Sequence, residues 1–157
     1  MIEPIRRTVD VRCDPATAFR VFTTAMDTWW PFHIHSRALQ DREGESVKAE
    51  RIVVEERSGG RIYEVMSDGA EADWGSILTW DPPTRLVIAW QPNADPPNPT
   101  ELELRFIAAG TGTRVELEHR GWERLGALAS DARQGYAQGW PVTFDRLFAE
   151  AANAAAQ

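Results

Sequence analysis

Three histidines and one cysteine carry most of the chain's reactive chemistry at neutral pH. His119 ends an alternating stretch in which Val115, Leu117 and His119 share a side, so its imidazole is expected at the polar end of an apolar pocket. The plainer alternative is an imidazole bonded to a backbone carbonyl at the sheet edge. Paired with Glu64 or Tyr136, it could move protons as a general acid or base. His33 and His35 flank Ile34 on a loop. Two histidines at that spacing can hold a metal, but no acidic or cysteine partner stands at a recognised ligand spacing, so neither metal nor cofactor is expected. One of the pair, with His33 the candidate, should face a cavity mouth and the other solvent. Cys13 precedes a helix start, where a thiolate is favoured, but without a partner histidine in sight it reads as a small buried residue. No phosphate loop, nucleophile elbow or carboxylate pair has supporting context. Gly110-Thr111-Gly112 is a hairpin turn.

Seven tryptophans in 157 residues are more than a core of this size needs. Large rings are hard to bury completely, and each indole N–H requires a partner. They are therefore candidates for lining a concave site.

The elements that would position them follow from periodicity. Residues 5–12 read as a first strand. Asp14-Pro15 is a helix start, with Asp14 capping and Pro15 in the first turn, and the spacing of Ala18, Phe19, Phe22 and Met26 carries the helix to about Asp27. Trp29-Trp30-Pro31-Phe32 is a short second helix or a buried turn at the mouth, and Ala38 to Ser46 a solvated loop. From residue 49 the period becomes that of strands: Ala49 to Glu56, Arg61 to Met66, Ala72 to Trp80, Arg85 to Gln91, Thr100 to Ile107 and Thr113 to His119, separated by turn residues. Strand parity puts Ala72, Trp74, Ser76, Leu78 and Trp80 on the concave face. Leu86, Ile88 and Trp90 join them, as do Leu102, Leu104 and Phe106, whereas Glu101, Glu103 and Arg105 lie outside. The longest helix, about Ser130 to Ala152, carries an apolar stripe of Tyr136, Trp140, Phe144, Leu147 and Phe148. Pro141 should kink or break it. A curved antiparallel sheet with one dry face needs such a cover.

Composition narrows the partners. Formal net charge is −7 and the sequence pI is near 5.0, so the field repels phosphate backbones and anionic membranes, and nucleic acid is not an expected partner. A lone cysteine excludes an internal disulfide framework, and the first residues lack the apolar stretch of a secretory signal, which makes the cytoplasm the default location. Leu86 to Trp90 is the longest strongly apolar run in the body of the chain, too short for the ~18 residues of a membrane span. One domain over residues 1–157 is expected.

Several local strings, in order, carry a resemblance. They are Cys13-Asp14-Pro15-Ala16-Thr17-Ala18-Phe19, Trp29-Trp30-Pro31, Gly59-Gly60-Arg61-Ile62-Tyr63-Glu64, the run from Trp74-Gly75-Ser76 to Asp81-Pro82-Pro83-Thr84-Arg85-Leu86, and Glu118-His119-Arg120-Gly121-Trp122-Glu123. The chain resembles the START-like, helix-grip (Bet v 1-like) superfamily of SRPBCC type, and within it the group similar to the activator of Hsp90 ATPase (AHSA1-like). That resemblance implies an α+β fold: a curved seven-stranded antiparallel sheet around a long C-terminal helix, with two short helices after strand 1, enclosing a deep cavity for an apolar or amphipathic ligand. The superfamily includes lipid carriers, polyketide aromatase/cyclases, hormone receptors and co-chaperone domains, so fold alone does not set function.

The leading expectation is a binding protein for a small hydrophobic ligand. Its candidate lining residues are Trp29, Trp30, Phe32 and His33 at the mouth, Trp74, Trp80, Trp90, Phe106 and His119 on the sheet, and Tyr136, Trp140 and Phe144 on the helix. The alternatives are a cyclase, dehydratase or hydrolase using His119, and a protein-interaction module presenting the Pro92 to Pro99 loop or Trp122. No extra N-terminal domain of the eukaryotic co-chaperone kind is seen, which counts against an Hsp90 partner. A homodimer is the default oligomer.

Overall fold

Seven segments of alternating polarity, broken by glycine and proline turns, form one antiparallel sheet in the computed structural model, which describes residues 2–92 and 98–156. The strands are β1 (Ile5–Val11), β2 (Ala49–Val54), β3 (Arg61–Met66), β4 (Glu71–Asp81), β5 (Arg85–Trp90), β6 (Thr100–Ala109) and β7 (Gly112–Arg120). Their order, β1-β7-β6-β5-β4-β3-β2, is a meander closed by the return of β1 onto β7. The curved sheet grips a C-terminal helix, and two short helices follow β1, as the resemblance implies.

Helix α1 (Pro15–Phe22) begins as the sequence predicts, with the Asp14 carboxylate accepting from the Thr17 N–H at 2.8 Å. It stops well short of Asp27. Thr23 Oγ1 donates to the Phe19 carbonyl at 2.7 Å, and such back-bonding by a β-branched residue competes with continuation. A 3₁₀ turn, Met26–Thr28, follows and delivers Trp29 and Trp30 into the interior. The expected solvated loop after residue 38 instead starts with helix α2 (Arg37–Asp41). Its stabilising partner lies far away in sequence: the buried Glu64 carboxylate accepts from the Arg37 and Ala38 N–H groups at 2.8 and 2.9 Å.

Strand β4 breaks simple parity. Ile62 pairs with Gly75 but Tyr63 with Asp73, and Ile77 pairs with Ile88 but Thr79 with Val87, so β4 carries an extra residue at Trp74 and another at Leu78. Each bulge shifts the alternation. Ile77 is therefore buried, and Leu78, expected inside, is 47% exposed. Gly75 makes the first bulge feasible, because a Cβ there would lie 2.0 Å from the Ala89 carbonyl oxygen.

After Gly121, a 3₁₀ segment (Trp122–Leu128) leads into α3 (Ala129–Trp140), a π-helical stretch (Pro141–Phe148) and α4 (Ala149–Ala155). Pro141 itself keeps helical angles, φ −55° and ψ −35°. The helix widens to i→i+5 turns beyond the proline rather than breaking, a way to absorb a missing donor and a bulky ring.

On the convex face Glu103 points outward as expected but is only 4% exposed. Arg85, Arg105 and Arg120 cover it, each donating to its carboxylate at 2.7–2.8 Å. Burial pushes this carboxyl up, but the three guanidinium hydrogen bonds outweigh it and hold the pKa at about 2.

Candidate functional site

The interior beneath the helix is mostly filled. Phe22, Trp29, Phe144 and Phe148 pack at centroid distances of 5.3 to 6.5 Å, and Phe19 packs on Trp80 and Phe106 at 5.0 and 5.1 Å. Trp29, Phe106 and Phe144 are thus core rings, Trp80 and Phe32 pack against that core partly buried, and none of the five lines the recess. Among the described residues the space beneath the helix holds an open recess of about 260 Å³ at the α3 end.

Trp30, Trp74, Tyr136 and Trp140 form its aromatic walls. The indoles pack on one another, Trp30 lying 5.0 Å from Trp74 and 6.4 Å from Trp140, and their N–H groups are tied down. Trp30 Nε1 donates to the His35 carbonyl at 2.8 Å and Trp74 Nε1 to the Glu64 carboxylate at 3.2 Å. Trp90 stands behind this wall, donating through Nε1 to Tyr136 Oη at 3.2 Å. Burial raises the Tyr136 phenol to about 12, with the Trp90 bond opposing the shift. The hydroxyl therefore stays protonated and can donate.

His119 lies behind the cavity wall. Trp140 Nε1–H, which can only donate, hydrogen-bonds to His119 Nδ1 at 3.1 Å, leaving Nε2 as the protonated nitrogen, 2.6 Å from Thr100 Oγ1. The Thr100 hydroxyl in turn donates to the Trp90 carbonyl at 3.2 Å. Burial lowers the His119 pKa to about 3, so the ring is a neutral structural link with both nitrogens spent. Trp122, unexposed, donates to the His119 carbonyl and packs 4.2 Å from its ring; it is no docking surface. Glu64 is committed to α2 and Trp74 and does not meet His119. Of the Pro92 to Pro99 loop, residues 93–97 fall outside the described residues.

At the mouth the roles of the two histidines are exchanged. His33 is exposed and does not line the recess, whereas His35 lines it with Ser36 and Gln40. Desolvation lowers the His35 pKa, and the neighbouring His33 acts in the same direction. The helix contributes Asp131, Ala132, Gly135, Gly139 and Thr143, none foreseen. One signal for them was present: small residues at 132, 135, 139 and 143 recur on one helix face beside the Tyr136–Trp140 pair. Cys13 is buried, and burial raises its thiol pKa. Among the described residues no three His, Cys, Asp or Glu side chains group as a metal site, and no helix is long and apolar enough to cross a membrane.

Comparison with known proteins gives these features a context. The family model for activator of Hsp90 ATPase homolog 1-like protein matches residues 12–152. No curated protein matches the chain. Among solved structures, an anthrahydroquino-gamma-pyrone synthase, Txn09, is 32% identical, with 97% of this chain and 96% of that one covered and a TM-score of 0.60. The self-sacrificing resistance protein CalC from Micromonospora echinospora is also 32% identical, covering 94% and 92% with a TM-score of 0.68. The Aha1 dimer from Colwellia psychrerythraea, at 13% identity, 92% and 99% coverage and a TM-score of 0.57, is similar in fold alone.

Proposed function

Because the chain belongs to the activator of Hsp90 ATPase homolog 1-like family, we propose that it is a cytoplasmic small-molecule binding protein, acting as one domain over residues 1–157. Its ligand is apolar or aromatic and sits in the recess walled by Trp30, Trp74, Tyr136 and Trp140. The observation that carries this reading is the recess itself: four aromatic walls, a few polar groups at the rim, and about 260 Å³ of open space in an otherwise ring-filled interior. That volume falls just below the ~300–1,000 Å³ of typical ligand sites, which favours a small ligand. The similarity, at 32% identity, to an anthrahydroquino-gamma-pyrone synthase supports an aromatic ligand. Any proton transfer in this recess would draw on His35, Asp131 or Tyr136, because His119 has no free nitrogen.

Three wall residues are tryptophans, so occupancy reads out directly as fluorescence quenching. Titration with a panel of fused-ring phenols, quinones and fatty acids is expected to give saturable quenching with a rise in melting temperature for at least one class. A panel that produces neither overturns the reading.

A further inference from the structure

Gly135 and Gly139 sit inside α3, where each costs about 1 kcal/mol relative to alanine. Neither has a positive φ. A Cβ at Gly135 would meet nothing within 4 Å, and one at Gly139 would meet only His35 Nε2, at 4.0 Å. Backbone conformation and packing thus give no reason for glycine at either position. Both glycines line the recess, on the same helix face as Thr143.

Thr143 supplies an independent observation. It is 3% exposed, and its Oγ1 has no hydrogen-bond partner among the described residues. The other buried threonines, Thr23, Thr100 and Thr113, each donate to a backbone carbonyl. Among the described residues no wholly occluded side-chain polar atom lacks a partner, so this hydroxyl is reached from the recess that Thr143 lines. Tyr136 Oη likewise accepts from Trp90 and keeps its own proton unspent among the described residues.

Building on the ligand-binding reading above, we propose that Gly135 and Gly139 are the specificity-determining floor of a slot for a flat, fused-ring ligand. The ring lies against the bare helix backbone, opposite Trp30 and Trp74, and a ligand oxygen is held by the Thr143 hydroxyl. The two glycines give up helix stability for ring clearance, so a methyl group placed on either should raise stability and lower binding together. A glycine with a purely structural role would not separate the two in that direction.

The test uses 1,8-dihydroxyanthraquinone, anthracene and palmitate as probes, with tryptophan quenching for affinity and thermal melts for stability. Gly135→Ala and Gly139→Ala are expected to melt higher by about 2–4 °C and to bind the anthraquinone about ten-fold or more weakly, the usual effect of one misplaced methyl in a fitted pocket. Palmitate, a flexible chain, should change little. Thr143→Val should weaken the dihydroxyanthraquinone and leave anthracene unaffected. Alanine variants that bind the anthraquinone as tightly as the parent overturn the slot. A parent protein that binds palmitate but no fused ring also overturns it while leaving the ligand-binding reading intact, and one that binds none of the probes overturns both.

Discussion

The two ends of the space beneath the C-terminal helix are built from the same residue types and reach opposite results. At the far end Phe144 and Phe148 stack 5.4 Å apart and meet Phe22 and Trp29, with every ring backed by another ring. At the near end Tyr136 and Trp140 stack at 5.8 Å, but the helix beside them carries glycine, and the buried Trp30 and Trp74 border an open recess. Whether an aromatic residue packs or lines is therefore decided by the bulk of the side chains opposite. His119 marks the boundary, its ring bonded to Thr100 on the sheet and Trp140 on the helix.

The comparison can be broken first where it predicts most. Phe148→Ala, in the filled end, should cost about 3–5 kcal/mol in denaturant unfolding, as expected for a buried ring removed from a tight core. A cost under about 1 kcal/mol would mean that this end is not close-packed. His119→Ala should cost about 2–4 kcal/mol, because it strands the Trp140 indole N–H and empties the space of a buried ring. The same residue sharpens the boundary through pH. Its folded pKa of about 3 lies below the ordinary 6.5, so the unfolded chain binds the proton first, and stability falls as pH drops from about 6.5 towards 3. Glu103, held at about 2 against 4.5, adds a loss in the same direction below about 4.5. A His119→Gln variant should flatten the limb between pH 6.5 and 4.5 and leave a shallower one below it, where Glu103 still contributes; an unchanged upper limb would place the titrating group elsewhere.

Smaller effects belong to the open end. Glu64→Gln removes a charged acceptor from the start of α2 and from Trp74, and should cost about 1.5–3 kcal/mol while exposing the Ser36–Gln40 wall to faster amide exchange. Exchange no faster than in the parent would show that α2 is held by other means. Tyr136→Phe leaves the Trp90 indole without its acceptor and should cost about 1 kcal/mol, the mildest change in the set. A loss as large as that of Phe148→Ala would show that the near end is packed like the far one.

The strand and turn pattern was legible from the residues because each strand alternates locally and each turn carries its own glycine or proline. Three features were not. Helix α2 is capped by Glu64, a partner 26 or 27 positions away that no local pattern announces. The β4 bulges depend on the approach of the Ala89 backbone to Gly75, so parity counting carried Leu78 to the wrong face. At the site, reading by residue type favoured the reactive His119 and the largest rings, yet the recess is also defined by side chains that are missing. Of the residues lining the recess, Trp30, Trp74, Tyr136 and Trp140 stand out in the sequence by size, whereas Gly135 and Gly139 do not, because clearance leaves no polarity or bulk to detect.

The closing of the sheet has a consequence for biosynthesis. Arg6 on β1 meets Glu118 on β7 across 112 positions of sequence, and pairings of such long separation form slowly. As the chain emerges from the ribosome, β1 has no strand to join until β7 has followed it out. Until then the nascent protein exposes an unpaired strand, and the charged Arg6, Arg7 and Asp10 along that strand are the kind of side chains that discourage premature pairing with a neighbouring chain.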